Sequence, residues 1–103
     1  PTALSAWDVI EMATKNGAKA LGLGETGELK VGYAADLCVV DLKRIHLMPC
    51  LDLPNLIVHS MHAGDVTMTV ADGNVLYDRG QFMTLNQDRA EFDFRCAVRR
   101  LFA

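Results

Sequence analysis

An Asp72-Gly73 dipeptide stands between two runs patterned for β-structure. Before it, Val66, Met68 and Val70 alternate with Thr67 and Thr69; after it come Val75, Leu76 and Tyr77. Successive strand side chains point to opposite faces, so the alternation predicts a half-buried strand with one apolar face. Asp-Gly tolerates the positive φ angles of a two-residue turn, so residues 65–71 and 74–78 are expected to pair as a hairpin. Asp78-Arg79-Gly80 marks a second turn. A further strand is expected near 35–42, where Leu37-Cys38-Val39-Val40 is continuously apolar between Asp36 and Asp41. An unbroken run of that kind predicts burial on both faces. Residues 43–55 read as a loop with Pro49 and Pro54 as breakers, and 56–60 as a short strand.

Helices flank this β-region. Residues 5–16 read as a helix that Ser5 caps, with Asp8 three positions on completing a capping box. Gly17 is expected to close it in the left-handed conformation. A second short helix is expected over 18–23, with Gly22, Gly24 and Gly27 ending it and beginning a loop. The tail reads as a helix over 88–101 with Asn86 as its cap. There Ala90, Phe94, Ala97, Val98 and Leu101 form one apolar stripe, and Arg95, Arg99 and Arg100 suit the negative end of the helix dipole. The fold class is therefore mixed α/β: N-terminal helices, short strands, then a C-terminal helix. The expected units are 1–24, 25–83 and 84–103.

Composition removes several classes of function. The chain has 103 residues, a net charge of -3 and 50% apolar residues, which fits a folded chain of about one domain. A pI near 5.5 lacks the basic footprint of a nucleic-acid binder. No apolar run approaches the roughly 20 residues that span a bilayer, and the N-terminus lacks the pattern of a secretory leader. Cys38, Cys50 and Cys96 are odd in number with no C-x-x-C spacing, which predicts free thiols in a reducing cytoplasm rather than a disulfide framework.

Three groups of residues are candidate sites by type and spacing. His59 and His62 would share a face only on a helix, and zinc needs three or four ligands, so they read as surface imidazoles near a strand end. Gly22-Leu23-Gly24-Glu25-Thr26-Gly27 matches G-x-G-x-x-G by letter. It follows a helix instead of a strand, so it reads as helix-stop and turn glycines. The three arginines of the tail read as a solvated face. No catalytic, cofactor-binding or metal-binding residue is assigned.

Three segments together resemble a known family. Met12-Ala13-Thr14-Lys15-Asn16-Gly17-Ala18-Lys19-Ala20-Leu21-Gly22 is similar to the A-T-x-x-G-A-x-A-L-G signature of the amidohydrolase superfamily. Gly27-Glu28-Leu29-Lys30-Val31-Gly32, then Ala35-Asp36-Leu37 and Asp41, resembles its G-x-L-x-x-G-x-x-A-D-L-x-x-x-D run. Asp65-Val66, then Val70-Ala71-Asp72-Gly73-Asn74-Val75-Leu76, resembles its D-V-x-x-x-x-V-x-G-x-x-V hairpin. The flavour is that of cytosine, guanine and adenosylhomocysteine deaminases and triazine chlorohydrolases.

The resemblance implies the C-terminal part of such an enzyme. Residues 1–24 would be the helical passage off a metal-bearing (β/α)₈ barrel, and 25–83 part of a composite β-sandwich. The barrel, at roughly 250 residues, lies outside this chain. The family's H-x-H and its metal aspartate have no counterpart here; Asp8 does not sit in that context, and Asp36 falls in the A-D-L motif, where a turn or strand-start hydrogen bond is expected. The implied cofactor of the parent is a divalent metal, zinc or iron, with none expected in this chain. The implied partners are the rest of the parent enzyme or another copy of the chain in a homo-oligomer, with no nucleic acid and no membrane. The competing reading is a standalone, non-catalytic oligomerisation or binding module built from a half-sandwich, whose bare strand edges would need covering.

Overall fold

The Asp72-Gly73 turn forms, and its hairpin becomes the centre of a sheet. The computed structural model describes residues 3–103, so residues 1 and 2 of the expected helical passage lie outside the described residues. The strands are β1 (Leu37–Val40), β2 (Val66–Ala71), β3 (Asn74–Asp78) and β4 (Gln81–Phe82). They lie in the order β1-β2-β3-β4, all neighbours antiparallel. Asp72 and Gly73 have φ 48° and 78°, and Arg79 and Gly80 have 47° and 88°. Two consecutive positive φ angles mark the turns whose twist matches that of paired strands. β1 is tied to the same hairpin: the Asp72 N–H donates to Asp36 Oδ1 at 2.6 Å and the Gly73 N–H to the Ala35 carbonyl at 3.1 Å. Asp36 thus makes the strand-start hydrogen bond that the sequence predicts.

β1 and β2 are neighbours in the sheet but distant in sequence. The 25 residues between them make a long excursion holding a 3₁₀ turn (Ile45–Leu47) and a helix, α3 (Leu53–His59). The strand expected near 56–60 is therefore wrong. Leu56-Ile57-Val58 has strand-like composition, but Asp52 caps the segment, accepting from the Asn55 N–H at 3.3 Å and from Asn55 Nδ2 at 2.6 Å. Pro54 lies in the first helical turn, where a fixed φ and a missing N–H cost nothing. What reads as a breaker is a helix start.

At the N-terminus, α1 (Ala6–Ala13) carries the full Ser5–Asp8 capping box. α2 (Lys15–Ala20) follows at once. Gly17 is not a left-handed stop; it lies within α2, and the break comes at Thr14 (φ −121°, ψ −88°). A Cβ on Gly17 would meet the Met12 carbonyl at 3.0 Å, so glycine is there for close approach. Gly22, at φ 72°, is the stop. Its N–H bonds to the Lys19 carbonyl and that of Leu23 to the Ala18 carbonyl, the paired closure that favours glycine. α4 (Gln87–Phe102) is capped by Asn86, whose side chain accepts from the Arg89 N–H at 3.0 Å.

Little of this is covered. Among the described residues only Ala18, Leu47 and Asp65 are buried. Cys38 and Val39 of β1 are exposed, against the burial expected of an apolar run. Among the described residues β1 pairs with a strand on one side only, and the groove between Leu37–Cys38 and the α2 side is open. The radius of gyration is 17.5 Å, where a compact domain of this length has about 13 Å.

Candidate functional site: a carboxylate at the root of the excursion

The excursion between β1 and β2 closes on Asp65, whose carboxylate is the one buried charge among the described residues. The backbone seals it first: the Asp41 N–H donates to the Asp65 carbonyl at 2.8 Å. Asp65 Oδ2 then accepts from the His62 backbone N–H at 2.8 Å and lies 2.7 Å from His46 Nε2. Arg44 reaches the same place, its Nε 3.3 Å from Asp41 Oδ2 and 4.0 Å from Asp65 Oδ1. The rings of His46 and His62 sit 4.7 Å apart.

These contacts decide the protonation state. The hydrogen bond from His46 holds the Asp65 carboxyl below its ordinary value of 3.8; the His62 N–H and the nearby charges add to this, while burial opposes it. An ionised carboxylate only accepts, so His46 Nε2 carries the proton. A carboxylate that orients an imidazole is half of a general-base arrangement. The other half is missing, since no hydroxyl or thiol among the described residues bonds to His46. What the cluster does chemically is clamp: one carboxylate joins the 3₁₀ turn, the end of the excursion and the start of β2.

The sequence carries little sign of this cluster. His46 and Asp65 lie 19 positions apart, too far for any local pattern. The one local signal is Asp65 three residues after His62, the spacing at which an acid reaches back to a turn's first N–H. His59 and His62 were expected near a strand end; His59 instead ends α3 and His62 lies beyond it, both exposed. Gly22, Gly24 and Gly27 make the helix stop and turn predicted for them, and no strand precedes them among the described residues.

A metal does not fit the cluster. Asp65 Oδ2 is committed to two donors, and among the described residues no group of three or more His, Cys, Asp or Glu is placed to hold an ion. One concave feature of the described residues is an open groove of about 700 Å³ over the sheet, lined by Val66, Thr69, Leu76, Tyr77, Phe82 and Leu85 among others. It offers hydroxyls but no carboxylate, imidazole or amine, so it suits packing better than acid–base chemistry.

Comparison with known proteins settles the family. The sequence profile of the amidohydrolase family matches residues 1–76. The chain belongs to that family. It is 48% identical over its whole length to the 5'-deoxyadenosine deaminase of Methanosarcina acetivorans, covering 24% of that protein. It is 35% identical, over 98% of its length, to the 5-methylthioadenosine/S-adenosylhomocysteine deaminase of Acetivibrio thermocellus, again covering 24%. The chain therefore spans about a quarter of the relatives it matches. Among solved amidohydrolases, a zinc-bound adenosine deaminase from Xanthomonas campestris superposes with a TM-score of 0.91 at 27% identity, over 96% of this chain and 23% of that one. An atrazine chlorohydrolase from Arthrobacter aurescens shares the fold, with a TM-score of 0.82 at 24% identity over 90% of this chain and 20% of that one. No helix among the described residues is long and apolar enough to cross a membrane.

Proposed function

We propose that these residues are the C-terminal structural portion of a longer, metal-dependent amidohydrolase that deaminates an adenosine-type nucleoside. The observation that carries this is the 48% identity, running from end to end of the chain, to a 5'-deoxyadenosine deaminase. The chlorohydrolase is only 24% identical, which favours loss of ammonia over loss of chloride. The metal, zinc on the strength of the zinc-bound neighbour, would sit on residues outside these 103, because the donors present do not fit one. The role of the segment is to cover and brace. Its sheet would form part of a composite sandwich, with strands from elsewhere in the polypeptide filling the groove beside Leu76, Tyr77 and Phe82. The three free cysteines suit a reducing, cytoplasmic setting.

The test uses the intact polypeptide that carries this segment. Purified with zinc, it is expected to release ammonia from 5'-deoxyadenosine and from S-adenosylhomocysteine, and no chloride from a chlorotriazine. A natural polypeptide with a mass near that of these residues alone, or an intact enzyme inert towards both nucleosides, would overturn the reading.

A further inference from the structure

α4 stands apart from the sheet. It makes no substantial packing contact with another described element. All of its side-chain hydrogen bonds and ion pairs are internal or with its own cap. Yet it carries an apolar seam, on which Phe94 is 69% and Leu101 77% exposed. Ala90, Phe94, Ala97 and Leu101 follow one another at steps of four, three and four residues, the spacing that faces a second helix along a common line.

From this pattern we infer that α4 is a self-recognition helix, packing antiparallel against α4 of a second copy about a two-fold axis between Phe94 and Ala97. Two independent properties favour a copy of itself. The first is shape. Antiparallel pairing sets Phe94 over the partner's Ala97 and Ala90 over the partner's Leu101, so each large side chain meets a small one and the layers interdigitate. Parallel pairing would stack phenylalanine on phenylalanine and alanine on alanine. The second is charge. Asp88, Glu91 and Asp93 outnumber the single Arg89 in the first half of α4, and the second half carries only basic residues, Arg95, Arg99 and Arg100, as its charges. Asp93 and Arg100 flank the seam one heptad apart, so the dyad brings Asp93 beside the partner's Arg100 twice. Asp93 already touches Arg89 at 3.2 Å but remains largely exposed, leaving room for a second cation. Arg100 has no ion pair among the described residues.

A helix of 16 residues is about 24 Å long, short for a stable pair by itself. The contact therefore sets the register and adds affinity to an assembly of the intact polypeptide, and it is tested there. Sedimentation equilibrium would compare wild type with Asp93→Arg, Arg100→Asp, the double variant, and an equimolar mixture of the two single variants. Each single variant places like charges together at both ends and is expected to weaken the dimer by about tenfold. The double variant and the mixture restore opposite charges and are expected to recover most of that loss. Four results would overturn the inference: a monomeric wild type, single variants that dimerise like wild type, a loss that the double variant does not recover, or one that the mixture does not. Ammonia release is not read in this experiment, so its outcome is separate from that of the deaminase reading.

Discussion

Asp65 is almost wholly buried, and it stays ionised because its acceptors are satisfied by named donors. The folded-state carboxyl titrates below its ordinary 3.8, chiefly through the bond from His46. A depressed carboxyl stabilises the fold above its unfolded value, and that contribution is lost as pH falls from about 4 through the lowered folded value. Thermal melts of the intact polypeptide from about pH 6 to about pH 3 should show wild type more stable than Asp65→Asn in the upper range. The gap should close as the lower limit is approached; a gap independent of pH would place the stabilisation elsewhere. Gly27 is constrained differently. Its φ is 89°, and a Cβ there would lie 2.9 Å from the Thr14 carbonyl and 3.0 Å from the Ala18 Cβ. Gly27→Ala combines a disfavoured backbone with a clash and is expected to cost about 1–3 kcal/mol, measured by denaturant titration. A cost below a few tenths would mean the turn opens freely away from α2.

The elements that could be read in the sequence are those whose causes lie within a few residues. The Ser5–Asp8 capping box, the Asn86 cap and the Asp72-Gly73 turn are local chemistry, and each forms where its spacing places it. Where contacts arrive from afar, local reading fails. Leu56-Ile57-Val58 is too short for its period to separate helix from strand; it becomes α3, which also packs on α1. Gly17 reads as a stop, but the break falls at Thr14, and the closeness of Gly17 to the Met12 carbonyl is set by how α2 turns away from α1. The His46–Asp65 bond spans 19 positions and leaves no trace in any window. Local causes also predict local consequences. Because α4 leans on little else among the described residues, Asn86→Ala should loosen its first turn by about 1 kcal/mol. Hydrogen exchange in the intact polypeptide would show faster amides at residues 88–90 and unchanged ones in β2 and β3. Loosening of the hairpin as well would mean that α4 and the sheet open together.

At the scale of the whole molecule, the arrangement makes sense only with something else around it. Val31 is fully exposed, Leu29, Leu21 and Trp7 largely so, and only two apolar side chains are buried among the described residues. A chain of about 100 residues that settled its own energetics would bury well over half of its unfolded surface and would contract towards 13 Å. This one keeps a radius of gyration of 17.5 Å, yet nearly all of it superposes on a solved amidohydrolase several times its length. That shape is what a segment has when its apolar faces are covered from outside. Expressed alone, the 103 residues should therefore bind a hydrophobic dye strongly and melt over a broad range, because the few long-range contacts cannot offset the conformational entropy of ordering them. The same residues within the intact polypeptide should be protected and melt with it. A sharp, cooperative transition of the isolated chain with weak dye binding would mean that the exposed faces find each other, by collapse or by self-association. Sedimentation of that sample would separate the two, since only association depends on concentration.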